Sequence, residues 1–261
     1  MTMKTALITG ASSGIGTAFA QELAMRQINL ILVARSQNKL YQLAEKLQHQ
    51  ASIKVEVIIQ DLTDQQAAKK VYDTIAEKRL SVDFLVNNAG FGDYGAFIQR
   101  ELPRQVEMIQ LNIVALVELT HLFLSEMQQR GTGNIINVAS IAGFQPLPYL
   151  SVYAATKAFV LSFSEALWAE NQGTDINILA LCPGPTDSDF FKVADFPDNF
   201  INKNNGSLTS AKEVVKDALK ALENRKSNTV PGGFINQFIV NSSRFLPREL
   251  LVNFIEKQFR G

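Results

Sequence analysis

Thr5-Ala-Leu-Ile-Thr-Gly-Ala-Ser-Ser-Gly-Ile-Gly16 decides the fold. A short apolar run, Thr5 to Thr9, meets Gly10, Gly14 and Gly16, and helical spacing begins at Ile15. A strand that turns this sharply into a helix leaves backbone N–H groups and the positive helix end at its carboxyl edge, which makes an anion site. Glycine serves the tight turn and leaves room for a pyrophosphate where a β-carbon would stand. The spacing therefore predicts a dinucleotide against Gly10, Ser12, Ser13, Gly14, Ile15 and Gly16. Gly10-Ala-Ser-Ser-Gly14 also satisfies Gly-x-Ser-x-Gly, with Ser12 as a nucleophile. That chemistry needs a histidine after the serine and the acid; the only histidines, His49 and His121, lie in helical stretches, so the hydrolase reading fails on its missing base.

Outward from the turn, apolar runs recur at 30–34, 55–60, 83–87, 134–139 and 176–182, without clean alternation. Strands buried on both faces of a parallel sheet read this way. Helical spacing fills the gaps at 15–26, 38–50, 64–78, 104–129 and 152–171, with Asp64 as the expected N-cap of the third helix. The alternation predicts an α/β chain: a doubly wound, Rossmann-type parallel sheet with helices on both faces. No repeat or linker divides residues 1–261, so one domain is expected.

With 46% hydrophobic residues the chain can bury a sizeable core. Its 25 basic and 25 acidic residues cancel, so no broad positive field suits a nucleic acid. Cys182 is the single cysteine, which excludes an intrachain disulfide. No apolar signal region precedes the first strand, and no segment is expected to reach the roughly 20 apolar residues of a membrane span. These observations predict a cytoplasmic protein, at most peripheral to membranes. No His, Cys, Asp or Glu cluster has metal-ligand spacing.

The second strand ends in Arg35, where an NAD enzyme usually carries an acidic residue for the ribose. A guanidinium there pairs with a 2′-phosphate, so NADP(H) is predicted over NAD. Asp61, followed by Leu62, ends the third strand, placed to bond an adenine or to cap the next helix. Asn87-Asn88-Ala89-Gly90 closes the fourth strand at the same edge. Ser140 ends the fifth. Tyr153 and Lys157, four residues apart on the next helix, share a face. A phenol with pKa about 10 becomes useful near neutrality when an ammonium favours its phenolate. A carbonyl held by Ser140 and Tyr153 could receive hydride from a nicotinamide and a proton from Tyr153.

Together these motifs resemble the short-chain dehydrogenases/reductases of the roughly 250-residue type, with specific matches from residue 5 to about 190. The resemblance implies that Asn112 joins Ser140, Tyr153 and Lys157 in a catalytic tetrad, helping to hold a relay water behind Lys157. It implies cofactor contacts at Asp61, Asn88, Ala89, Gly90, Tyr153, Lys157 and the turn Pro183-Gly184. The carboxamide partner falls at Ser188, where threonine is commoner in the family, with Thr186 as a competing donor. A homodimer or homotetramer is also implied, built on the helices around Asn112 and Tyr153.

Residues 185–209 carry Phe190, Phe191, Phe196 and Phe200, which suits a substrate lid better than a connector. Residues 232–261 pattern as amphipathic helices broken at Pro247, with Arg244, Arg248, Lys257 and Arg260 near the polar side. This tail is expected to cover the cleft or an interface rather than a membrane, since modest amphipathic helices anchor weakly. Phe91, Phe144, Leu147 and Tyr149 would help line the apolar pocket. His49 and His121 are expected at a helix surface and in helix packing. The expected activity interconverts a hydrophobic ketone or aldehyde and its alcohol. The alternative is a non-catalytic NADP-binding redox sensor, which would need none of the four chemical residues.

Overall fold

The computed structural model describes residues 3–198, 208–242 and 247–259. Phe200, Arg244 and Arg260 lie outside them, as do the side chains of Phe234, Ile235, Phe238 and Ile239. The described strands are β1 (Thr5–Thr9), β2 (Asn29–Ala34), β3 (Val55–Ile59), β4 (Phe84–Asn87), β5 (Thr132–Val138), β6 (Asp175–Leu181) and β7 (Asn228–Thr229). They form one parallel sheet in the order β3-β2-β1-β4-β5-β6-β7. The order reverses between β1 and β4, opening a crevice at the carboxyl edge where open α/β sheets bind ligands.

Successive strand residues serve opposite layers. Ala6 and Ile8 pack under α1 (Gly14–Met25), α2 (Gln37–Ala51) and a later helix, whereas Leu7 packs under α3 (Ala67–Glu77) and the helices after β4. Phe19 and Leu23 of α1 are fully buried, contributing roughly 1.5–3 kcal/mol each. The expected helix 104–129 is one run with a change of pitch. It comprises α4 (Leu102–Ile109), a π-helical stretch at Gln110–Ala115 and α5 (Leu116–Arg130).

This run corrects one expectation, because Leu102–Arg130 is 29 residues and holds an 18-residue window with a mean hydropathy of 1.5, enough by length and composition alone to cross a membrane. Its apolarity serves the core instead: Leu119, Phe123, Leu124 and Met127 pack against the sheet. Two smaller expectations also fail. Helix α3 begins at Ala67 after a left-handed Gln66, so Asp64 does not cap it; its carboxylate accepts from Gln60 Nε2. His121 faces outward rather than into helix packing.

Helix α6 (Ser151–Glu170) carries Tyr153 and Lys157. Beyond β6 come a short α7 (Phe190–Val193) and then α8 (Ala211–Glu223), the later helix over Ala6 and Ile8, started by a Ser210–Glu213 capping box. The tail forms α9 (Gly233–Ser242) and α10 (Arg248–Phe259), the latter starting directly after Pro247.

Candidate active site

The glycine turn is held from beneath by short polar side chains. Thr9 Oγ1 accepts the Asn88 and Ala89 N–H groups, both at 3.0 Å, and donates to the Val86 carbonyl. Asn88 Nδ2 donates to the Thr9 and Gly10 carbonyls at 3.0 and 3.2 Å, so its amide shapes the turn. A β-carbon at Gly16 would stand 2.3 Å from the Gly10 carbonyl oxygen, and Gly10 itself has a φ of +63°. Helix α1 has neither a side-chain cap at Ser13 nor an acidic first turn, leaving its leading N–H groups to an anion. This cradle, which a β-carbon would fill, fits a dinucleotide pyrophosphate. An open cavity of about 550 Å³ adjoins it, bounded by Ser12, Ser13, Gly14, Lys39, Ser188 and Lys212.

Arg35 stands at the end of β2 with its side chain 64% exposed, 3.3 Å from Asp61. Burial works against the Asp61 carboxylate, but the Thr63 N–H and hydroxyl and the Arg35 guanidinium hold it below the ordinary range. Of the two roles open to Asp61, the helix cap is not taken, since it organises the turn at Thr63 instead. Leu62 sinks its side chain into the core. Only its backbone is left for a cofactor.

Ser140 ends the fifth strand's exit, where its Oγ accepts the Ala142 N–H at 3.1 Å. Tyr153 is buried beside it. Burial pushes the phenol up to about 12, and the nearby Ser140 hydroxyl offsets part of that rise. Lys157 Nζ lies 5.8 Å from the centre of the Tyr153 ring and donates to the Val138 carbonyl at 2.7 Å. Burial brings this ammonium down to about 8, with Cys182 acting weakly the other way. The two lie side by side, but burial, not Lys157, sets the direction of the Tyr153 shift. Two ionisable groups removed from water each favour their neutral form.

Asn112, buried in the π-helical stretch, accepts the Phe91 N–H through Oδ1 and donates through Nδ2 to the Phe91 carbonyl and Thr156. Its side chain is thus committed to the loop after β4. A β-carbon on Gly90 would lie 2.8 Å from Asn112 Oδ1 and 3.6 Å from Lys157 Nζ, so the three segments converge. π-helical turns inside α-helices are frequent at functional sites. The helical periodicity of the sequence hides such a turn.

Pro183 accepts the Ile141 N–H, tying the Pro-Gly turn to the Ser140 loop, while Gly184 abuts Asn236 of α9. The Thr186 hydroxyl donates to the Gly184 carbonyl and that of Ser188 to the Thr186 carbonyl, so both brace their own loop. Ser188 is the one beside Gly14. Over Tyr153 lies an apolar cluster of Phe91, Met108, Leu147, Leu150, Phe196, Leu251 and Ile255, with Phe190 packed against it. Phe144 packs elsewhere, against the separate cluster that holds Leu116, Val160 and Cys182. Helix α10 is therefore a cover of this cluster.

The family model described as short chain dehydrogenase matches residues 4–196. A ketoacyl reductase, HetN, of a Nostoc species is 31% identical over 231 residues, 88% of this chain and 79% of that protein. A solved short-chain dehydrogenase from Sphingobium yanoikuyae in complex with NADPH aligns over 93% of this chain and 94% of its own, with 33% identity and a TM-score of 0.83. The bulky-bulky ketone specific alcohol dehydrogenase of Comamonas testosteroni aligns over 94% and 93%, at 32% identity and a TM-score of 0.79. With its glycine turn, parallel sheet and Ser140–Tyr153–Lys157 cluster at one edge, the chain belongs to the short-chain dehydrogenase family and is an oxidoreductase of that family.

Proposed function

We propose that this enzyme interconverts an apolar ketone or aldehyde and its alcohol with NADP(H). The observation that carries the reading is the buried Tyr153, with Lys157 Nζ 5.8 Å from its ring and Ser140 nearby, set in an apolar cluster at the edge of the sheet that carries the glycine turn. NADPH, when bound, supplies the hydride. Gly10, Ser12, Ser13, Gly14, Ile15 and Gly16 hold the pyrophosphate, Asp61 and Leu62 the adenine side, and Asn88, Ala89, Gly90, Pro183, Gly184, Thr186 and Ser188 the nicotinamide side. Arg35 would hold the 2′-phosphate, since its guanidinium is exposed and engaged with Asp61 only at 3.3 Å. The NADPH complex of the Sphingobium relative supports this choice.

Ser140 Oγ donates to the substrate carbonyl and orients it toward Tyr153. Tyr153 gives its proton to the same oxygen as negative charge develops there. Even a phenol raised to about 12 is a stronger acid than an aliphatic alcohol, so this transfer runs downhill in the reductive direction. Lys157, protonated below about pH 8, places a cation behind the ring where the phenolate forms. Asn112 acts as a positioning residue by fixing the Phe91 backbone, and its place at the π-helical turn suits a relay water behind Lys157.

Phe91, Leu147, Phe190, Leu251 and Ile255 favour a bulky, hydrophobic substrate, as does the likeness to a bulky-bulky ketone specific enzyme. Exposed Leu102, Val106 and Phe159 on α4 and α6 favour a homo-oligomer, and the lone, buried Cys182 suits the cytoplasm. NADPH consumption over a panel of ketones, run beside Tyr153→Phe, tests the proposal. Equal rates for the two proteins would overturn it.

A further inference from the structure

We propose that Asp93 is a positioning residue that sets, through Arg100 and Arg104, how closely the lid seats on Tyr153, and thereby how large a substrate the cleft admits. This rests on the reading that an apolar carbonyl compound meets Tyr153 beneath the lid.

The Asp93 side chain is 0% exposed and receives four donors. Arg100 gives it Nε at 2.9 Å and also Nη2, Arg104 gives Nε at 2.8 Å, and Gln105 gives its amide. Burial opposes its charge, but the two arginines hold the carboxylate below its ordinary range. Each arginine then reaches onward to the lid. Arg100 Nη1 donates to Asp195 at 3.0 Å and Arg104 Nη2 to the Val193 carbonyl at 2.9 Å, while the Tyr94 N–H donates to the Ala194 carbonyl at 2.8 Å. Three consecutive lid residues are thus fastened to the segment that carries Asp93.

The same segment sets the ring that faces the chemistry. The Phe190 and Tyr153 rings lie 5.2 Å apart. A β-carbon on Gly92 would stand 2.8 Å from Phe190 Cζ and 3.4 Å from Tyr153 Cδ2, so Gly92 makes the space in which Phe190 meets Tyr153. Gly92 and Asp93 therefore fix both ends of the short lid helix, one by clearance and the other by charge.

The two tiers of ion pair differ in strength. Asp93 is desolvated and multiply bonded, so its arginines stay in place as a landing. Asp195 is 71% exposed, and its contact with Arg100 is weak and sensitive to salt. One glycine-spaced carboxylate thus holds two guanidiniums for a lid that seats by a weak outer pair. A substrate too large for the seated lid is admitted by breaking that outer pair alone.

The test compares Asp195→Asn, which touches only the exposed pair, with Asp93→Asn. Amide hydrogen exchange over residues 189–196 and kcat/KM for a bulky against a small ketone are read for the NADPH-loaded proteins. Asp195→Asn is expected to speed exchange there roughly two- to fivefold and to raise the bulky-to-small ratio by a similar factor, with NADPH affinity unchanged. High salt should move the wild type toward this variant, and Asp93→Asn should exceed both effects. Exchange and substrate ratio unchanged in Asp195→Asn would overturn the proposal. So would an Asp93→Asn protein that loosens α4 and β4 while keeping the wild-type ratio. If the wild type turns over no ketone, the proposed function fails, and exchange over 189–196 still decides the seating of the lid.

Discussion

The floor of the site and its roof are built on different physics. Beneath the glycine turn, Thr9 and Asn88 close a set of short bonds onto backbone atoms, and a single added carbon at Gly16 would collide. Above Tyr153, rings rest on rings: Tyr94 on Phe196 at 4.8 Å and Phe190 near Phe191 at 5.8 Å, with ion pairs at the edge. Backbone-directed hydrogen bonds specify residue type, whereas apolar packing accepts exchange among side chains of similar volume. On the function proposed above, the floor commits the chain to a dinucleotide coenzyme and to Tyr153 as proton donor, and the roof is left to select the substrate.

The sharpest way to break that contrast is Tyr153→Phe, which should lower kcat by about 10²–10⁴-fold while NADPH titration stays as in the wild type. A loss of NADPH binding as well would show that floor and roof are not separable. Arg35→Ala comes next, expected to weaken NADPH by roughly 10–100-fold and NADH little, read by parallel titrations. Reduction should then fall as pH rises through about 8, because Lys157 loses its proton there, by up to about tenfold per unit in kcat/KM. A rate that holds level to pH 10 would place the needed charge elsewhere. Smallest is Ile255→Val in α10, which removes one buried methylene and should shift KM for a bulky ketone by about fourfold, with cofactor affinity untouched.

The same contrast explains what the sequence revealed. The strands, the turn at Gly10–Gly16 and the Tyr153–Lys157 pair were legible because each demands particular residues at fixed spacing. Strand β7, only Asn228–Thr229, is too short to carry a pattern. The π-helical stretch at Gln110–Ala115 keeps a helical look, so Asn112 emerged only through family resemblance. Asp93 gave no signal, since its partners Arg100, Arg104 and Asp195 come together only in the folded chain. The burial that raises the Tyr153 phenol is illegible for a related reason: sequence spacing reports neighbours but not the depth at which they lie.

Thr186 and Thr209 form a parallel bridge, and the N–H groups of Asp187 and Thr209 close it against the carbonyls of Thr209 and Pro185. The intervening chain leaves and returns through one narrow gate. Loops closed in this manner lengthen at a cost that grows only with the logarithm of their size. Length added to that loop away from Ser188 and the Phe190–Asp195 stretch is therefore expected to leave the bridge, and the hydride-transfer machinery below it, undisturbed.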